Sequence, residues 1–433
     1  MVCVLGLRIA MISEPTRPAP DGQEPERGGR DLHVSELSRS LAAAGHEVRI
    51  YHRQDPSTVV PPPGDRPAPG VSVEHVPIDP GRAARLLPAL NEFGHQLEQR
   101  WNDGDATPDV VHAHGWTSGL AAVAATRNQR QPLVVTFHAL LAQGRRAEER
   151  RRADERGGDQ SRPVTELDEA ARPTLERMLG RCADRVVALT NDEVTELVRA
   201  SVPRRRIALI PSGVDTDRFA PSGPVLPIGS GSDRPRILVV GRRFGRGGVA
   251  DVVAALRHVP DAELVVAGGP PPDALDRDPS SRRLRALCDH ARVADRVHLL
   301  GAVPEADMPA LYRAVDVIAC TPPEQPFGIV PLEAMASGLP VVAYATGGLR
   351  ETVIDGVTGV LVRPRDTRAL AIALRRLLGD DLRRMGMASA AVDRIHARYS
   401  WPRLCEAIER AYADAIDEAQ ESSAAAGRSE LTR

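Results

Sequence analysis

Short runs of apolar residues alternate with amphipathic helical stretches along most of this chain, and this alternation limits what it can fold into. Leu7 to Ile12 reads as a buried strand. A Gly/Pro-rich loop follows to Arg30, and then Val34, Leu37, Leu41 and Ala44 recur at spacings of three and four, one face of a helix. Gly45 ends that helix, and Val48 to Tyr51 is the next strand. Residues 55–70 are proline-rich without helical period and form a loop. Further strands are expected at Val110–Ala113, Leu133–Phe137, Arg185–Leu189 and Ile207–Pro211. Apolar strands between amphipathic helices predict a parallel sheet covered on both faces.

The pattern then restarts. Residues 221–235 have a Pro, Gly and Ser-rich linker composition. Strands follow at Ile237–Val240, Glu263–Ala267, Val297–Leu300, Val315–Ala319, Pro340–Ala343 and Val360–Val362, with helical periods in 367–378 and 401–416. Two such series in 433 residues predict two Rossmann-like domains, 1–212 and 236–397, joined by a linker at 213–235. A closing helix is expected at 398–420 and a disordered tail at 421–433.

Composition removes several function classes. A net charge of −2 gives no electrostatic reason to bind nucleic acid. All 56 cationic residues are arginine, so an anionic ligand must be held by Arg, His or backbone N–H. The five cysteines show no C-x-x-C spacing and fit a reducing, cytoplasmic setting rather than a disulfide framework or metal site. The start lacks the layout of a secretory signal, and no stretch reaches ~18 uninterrupted apolar residues, so no transmembrane segment is expected. The mixed-charge run at 142–165 has no apolar face for a membrane. It reads as a solvated helix or as a loop covering an active site.

In open parallel sheets, ligands sit at the carboxyl ends of strands. Four loops stand out there: Gly28-Gly29-Arg30, Gly241-Arg242 with Gly245 and Gly247-Gly248, the segment 322–343, and Thr346-Gly347-Gly348. The second lacks the G-x-G-x-x-G spacing of nicotinamide-binding folds.

The third, PPEQPFGIVPLEAMASGLPVVA, resembles the donor-nucleotide signature of the retaining glycosyltransferases of family four (group 1). Supporting motifs run through the chain in order: HVSELSRSLAAAGHEV (33–48), DVVHAHGWTSG (109–119), VVTFHAL (134–140), IPSGVDTDRF (210–219), ELVVAGGPP (263–272), GGLRETVIDGVTGVLV (347–362) and RYSW (398–401). Within the family the chain is most similar to bacterial mannosyl- and glucosaminyl-transferases and sucrose-phosphate-synthase-like enzymes. The resemblance implies an α/β GT-B fold of two facing Rossmann-like domains with an interdomain cleft, the acceptor on the N-terminal domain and the nucleotide sugar on the C-terminal one. It also implies a retaining, metal-independent hexosyl transfer from a UDP- or GDP-linked sugar to a small-molecule or glycan acceptor, without any cofactor. Preorganised donors that stabilise a departing diphosphate supply what such chemistry needs, and closure of the two domains would exclude water.

Carried over by motif, Glu333 is expected to accept the ribose hydroxyls, and the backbone at Phe327, Gly328, Ile329 and Val330 to meet the diphosphate. Arg242 matches the family's phosphate-binding Arg, His138 the active-site His beside the donor sugar, and Gly28 with Gly29 the loop near acceptor and donor phosphate. The resemblance thus makes His138, Arg242 and Glu333 the catalytic set. Arg30, Asp31, His114, Arg145 and Arg146 are the candidate acceptor contacts, while strand-end packing is the other reading of His112 and His114.

The binding loops depart from the pattern while the scaffold motifs do not. Gln325 stands where the family has its first Glu, with Glu324 one place early. Gly247 stands where the phosphate clamp has Lys, leaving Arg243 or Arg246 to supply the charge. A charge-assisted hydrogen bond contributes about 1.5–3 kcal/mol, roughly ten- to a hundredfold in binding. Gly301-Ala302-Val303 lacks the Arg that many relatives carry beside the base, and Arg30-Asp31 replaces the frequent Gln-Asn. These departures keep two alternatives open: a weak or inactive auxiliary binding protein, and a non-glycosidic coupling enzyme on the same scaffold.

Overall fold

The computed structural model describes residues 6–14, 29–54, 68–79, 85–102, 107–140, 166–229, 233–241, 248–322 and 328–430. They form two compact units, one of residues up to Ser212 together with Trp401 onward, the other Gly213–Ser400.

The first unit is a seven-stranded sheet in the order β3-β2-β1-β4-β5-β6-β7, every pairing parallel. Its strands are β1 (Arg8–Ser13), β2 (Glu47–Gln54), β3 (Val71–Pro77), β4 (Val110–His114), β5 (Leu133–Thr136), β6 (Arg185–Ala188) and β7 (Ile207–Leu209). β1 and β4 are buried almost throughout because helices cover both faces, hence the apolar run within β1, while β4 buries His112 and His114 beside its apolar residues. β3 has no counterpart in the sequence reading. It is an edge strand with mostly exposed or half-buried side chains, so its sequence VSVEHVP carries no apolar run. Strand order reverses between β1 and β4, and the register sets Ser13 beside His114 and His114 beside Thr136. Those strand ends lie at the topological switch point, where such sheets bind ligands.

The second unit repeats the plan with six parallel strands in the order β10-β9-β8-β11-β12-β13. These are β8 (Arg236–Val240), β9 (Glu263–Ala267), β10 (Val297–Gly301), β11 (Val317–Cys320), β12 (Val341–Tyr344) and β13 (Gly359–Val362). Apolar clusters pack against both faces of the sheet, one around Val239, Val266 and Leu374, the other around Leu238, Val265 and Met335.

Two stretches behave differently from their sequence reading. The expected linker 213–235 supplies buried Val214, Phe219 and Ile228 to the core of the second unit, because these apolar side chains punctuate an otherwise Pro/Gly-rich stretch. The C-terminal helix runs Trp401–Glu430, so the expected tail is helical through Glu430. It belongs to the first unit, held by polar ties: His46 takes the Leu7 N–H at Nδ1 (3.2 Å) and so donates from Nε2 to Glu409 (3.0 Å). Glu418 accepts from Arg206 Nε at 2.7 Å and from the Arg185 guanidinium. No helix of the described residues is long and apolar enough to cross a membrane.

Candidate active site

At the switch point of the first unit, four imidazoles and one guanidinium converge from three elements. The helix Gly29–Ala43, which follows β1, brings Arg30 and His33; β4 brings His112 and His114; the turn after β5 brings His138. His33 is buried between aromatic neighbours, its ring 5.0 Å from His138 and 5.3 Å from Trp401, both edge-on, with Nδ1 3.0 Å from Ser212 Oγ. His112 has both ring nitrogens occupied, Nδ1 by the Tyr412 hydroxyl and Nε2 by Thr136 Oγ1, each at 2.8 Å. Both nitrogens are thus engaged within the fold, as strand-end packing requires. His114 Nδ1 lies 3.0 Å from His138 Nε2.

Burial dominates the electrostatics here. It pushes His33 down to about 4. His112 falls to about 3, through burial and then the charge of His33. His114 and His138 lie well below the ordinary value, again by burial first, and Arg30 lowers both further. All four are neutral at physiological pH. Burial also lowers Arg30, opposed by Asp31 and Glu14. Its guanidinium donates to the Glu14 carbonyl, and a Cβ added to Gly115 would come within 2.9 Å of its Nη1. Gly115, at φ 94°, thus leaves the space this side chain occupies. Asp31 Oδ1 sits 3.9 Å from Arg30 Nε, and Gly29 is exposed at the helix start.

The potential ligand atoms of His33, His114 and His138 lie within 4.8 Å of one another, close enough to hold a metal ion. Neutral imidazole is the ligating form. The Arg30 charge opposes a second cation there, and no carboxylate belongs to the trio.

In the second unit the carboxyl ends of the strands are joined by backbone contacts too close for side chains. Gly248, at φ 70°, would drive a Cβ to 1.8 Å from the Thr321 carbonyl oxygen. The Thr321 hydroxyl in turn donates to the Gly248 carbonyl at 3.0 Å. Gly268, at φ 115°, faces the Gly241 oxygen at 1.9 Å in the same sense. After β11 the helix Ile329–Ala336 begins behind Gly328, which supplies no side-chain cap. The amides of Ile329 and Val330 therefore open the helix without intrahelical partners. Glu333, in the middle of that helix, is buried and accepts from the Tyr312 hydroxyl at 2.7 Å. Burial raises its carboxyl to about 7, against the lowering effects of Tyr312 and Arg218 and with a small push from Glu305.

The fold thus gathers Arg30, Asp31, His114 and His138 at one sheet end, and Gly328, Ile329, Val330 and Glu333 at the other sheet's end. Gly28, Arg145, Arg146, Arg242, Gln325 and Phe327 lie outside the described residues, as do Arg243, Arg246, Gly247 and Glu324. Sequence reasoning assigned no role to His33 or Tyr312. His33 had a signal, a histidine directly beside the apolar stripe of its helix. Tyr312 had none, because its partner is 21 residues away across a strand.

Comparison with known proteins identifies the family of the chain. The family model for glycosyl transferases group 1 matches residues 227–394, and that for Glycosyltransferase Family 4 matches residues 27–218. A D-inositol 3-phosphate glycosyltransferase from Xylanimonas cellulosilytica is 36% identical over 429 residues, covering 95% of this chain and 97% of that protein. One from Nocardia farcinica is 33% identical, covering 98% and 93%. Among solved structures, sucrose-phosphate synthase from Thermosynechococcus elongatus superposes with a TM-score of 0.73 at 27% identity, covering 94% of this chain and 98% of that one. The crystal structure of WaaG, a glycosyltransferase of lipopolysaccharide biosynthesis, shares the fold at a TM-score of 0.61 and 20% identity, covering 91% and 97%. With both family models matched in chain order, a full-length relative above one-third identity and two Rossmann-type sheets, the chain belongs to the family-four, group 1 glycosyltransferases of GT-B fold and is a glycosyltransferase.

Proposed function

We propose that this glycosyltransferase moves a hexosyl group, with retention, from a nucleotide sugar to a phosphorylated polyol, and needs neither metal nor cofactor. The observation that carries the donor half is the buried Glu333 carboxylate beside the uncapped start of its helix. Ribose hydroxyls donate to Glu333, and the diphosphate meets the amides of Ile329 and Val330. Arg242 and the neighbouring arginines add positive charge as the leaving group gains negative charge. The acceptor hydroxyl attacks the anomeric carbon from the face the diphosphate leaves, and its proton passes to the departing phosphate oxygen. No carboxylate pair at glycosidase spacing is needed. His138 stays neutral against the donor sugar, where an imidazolium would repel the oxocarbenium-like transition state.

The acceptor half draws on the names of the relatives. Two proteins about one-third identical are D-inositol 3-phosphate glycosyltransferases, and the structural relative at 27% identity is a sucrose-phosphate synthase. Each of these names carries a phosphate on a polyhydroxylated ring. Arg30 supplies a desolvated cation for such a group, with Asp31 beside it to accept from ring hydroxyls. These full-length relatives do not favour the inactive auxiliary alternative.

The test incubates the full chain with UDP- and GDP-linked hexoses and either inositol or inositol 3-phosphate, with and without EDTA. Product mass and anomeric configuration are then read. An α-linked product formed only from the phosphorylated acceptor, unchanged by chelation, is expected. Turnover of inositol at equal efficiency would refute the acceptor reading; a β-linked product would refute retention; loss of turnover with EDTA would refute metal independence.

A further inference from the structure

The histidines at the first unit's switch point do not use their nitrogens alike. His112 has a hydroxyl on each nitrogen, and a hydroxyl can donate or accept as required. His114 has one partner only: Nδ1 meets His138 Nε2 at 3.0 Å, while its Nε2 is buried with no partner among the described residues. A neutral imidazole holds its single proton on one nitrogen or the other. With the proton on Nε2, His114 would bury an orphaned N–H donor, which folded proteins rarely tolerate. Its Nδ1 lone pair would then require His138 to donate. With the proton on Nδ1, the donor is used and only a lone pair is left bare. The geometry therefore selects Nδ1–H on His114, donating to Nε2 of His138.

A second observation concerns His138 itself. Its backbone stands at φ 63°, in the left-handed region, where a residue with a Cβ is held only by its surroundings. Its ring touches two others, His114 through the hydrogen bond and His33 edge-on at 5.0 Å. Of these, only the hydrogen bond distinguishes one nitrogen of His138 from the other. His33 Nδ1 is directed to Ser212 instead.

We propose that His114 is a positioning residue that locks His138 in its Nδ1–H tautomer, so that His138 meets the donor sugar as a hydrogen-bond donor and not as a base. The tautomer follows from the cluster alone; its use against the sugar rests on the function proposed above. An Nδ1–H donor fits a sugar hydroxyl or ring oxygen, both of which accept, and it leaves the acceptor's proton to the departing phosphate.

The experiment uses the full chain with 15N-labelled histidine and long-range 1H–15N correlation of the imidazoles, the His138 signals being assigned by their loss in His138→Gln. Wild-type protein is expected to show His138 protonated on Nδ1. His114→Leu, which removes the donor, should mix the two tautomers and lower kcat about 10- to 100-fold with little change in KM for the donor. His114→Asn, whose amide N–H takes the place of Nδ1–H, should restore the wild-type tautomer and most of kcat. A wild-type His138 protonated on Nε2 would overturn the proposal without reference to any variant. A tautomer and kcat unmoved in a folded His114→Leu would overturn it as well. A tautomer that shifts as expected while kcat stays constant would overturn the positioning role and place the error in the His138–sugar contact.

Discussion

The Tyr312 hydroxyl donates to Glu333 Oε2 at 2.7 Å, and both side chains are buried in the second unit. One neutral donor does not offset the loss of water around a carboxylate, so burial holds the Glu333 carboxyl at about 7. Near neutral pH the residue expected to bind ribose is thus poised between its two protonation states, which makes its role measurable.

Ribose hydroxyls favour the ionised carboxylate, so nucleotide binding should lower the Glu333 pKa and release protons. At about pH 6.5, calorimetry in buffers of different ionisation enthalpy should show release of a fraction of a proton, vanishing in Glu333→Gln. A slope of zero in the wild-type protein would mean that the carboxylate does not meet the ligand.

The same shift sets a stability trend. Burial raises the folded-state pKa above the ordinary 4.5, so between 4.5 and about 7 the unfolded chain loses this proton first, and the group's contribution falls as pH rises. Glu333→Gln should therefore match the wild type at about pH 4 and exceed it above pH 7 by roughly 1–3 kcal/mol. Urea midpoints across this range read the difference; parallel curves at all pH values would remove the shift as its cause.

Tyr312→Phe keeps the ring and removes only the donor. Glu333 should then titrate still higher, and nucleotide affinity at neutral pH should fall about tenfold, with recovery at higher pH as the carboxylate ionises. A uniform loss at every pH would point to repacking instead.

Gly248→Ala forces a side chain both into a left-handed φ and against the Thr321 carbonyl. A loss of roughly 2–4 kcal/mol in unfolding free energy is expected, together with loss of donor binding, because the start of the helix Val249–Leu256 and the end of β11 must separate. An Ala variant with wild-type stability would show that this close approach is relieved by small shifts.

Arg296 is buried and donates to three carbonyls, Val259 at 2.8 Å, Ala262 at 2.7 Å and Leu256 at 3.2 Å. They lie at and just beyond the end of the helix Val249–Leu256. Arg296→Met removes the guanidinium from all three, leaving Leu256 and Val259 only their backbone N–H partners, and should destabilise the protein by roughly 2–4 kcal/mol. Activity at low temperature should survive, since no proposed substrate contact is touched; a selective loss of kcat would assign Arg296 to the chemistry.

Much of this was legible in advance where the signal is local. The apolar runs within β1, β9 and β12 announced strands covered on both faces, while the motif around Glu333 raised the expectation of a donor site. β3 was not legible, because an edge strand with one fully buried side chain has no run to detect. Val214, Phe219 and Ile228 were hidden by the Pro/Gly-rich composition around them.

By itself, the sequence determined that there would be two parallel α/β units and which family they belong to, because strand and helix periods and loop motifs depend on residues a few positions apart. Tertiary structure alone decided which sheet receives the helix Trp401–Glu430, since an amphipathic stripe demands burial without naming the surface that provides it. It also decided how His33, His112, His114 and His138 share their protons. A hydrogen-bond partner is chosen by distance and burial after packing, and those four residues meet only once three separate elements have come together at the carboxyl end of one sheet.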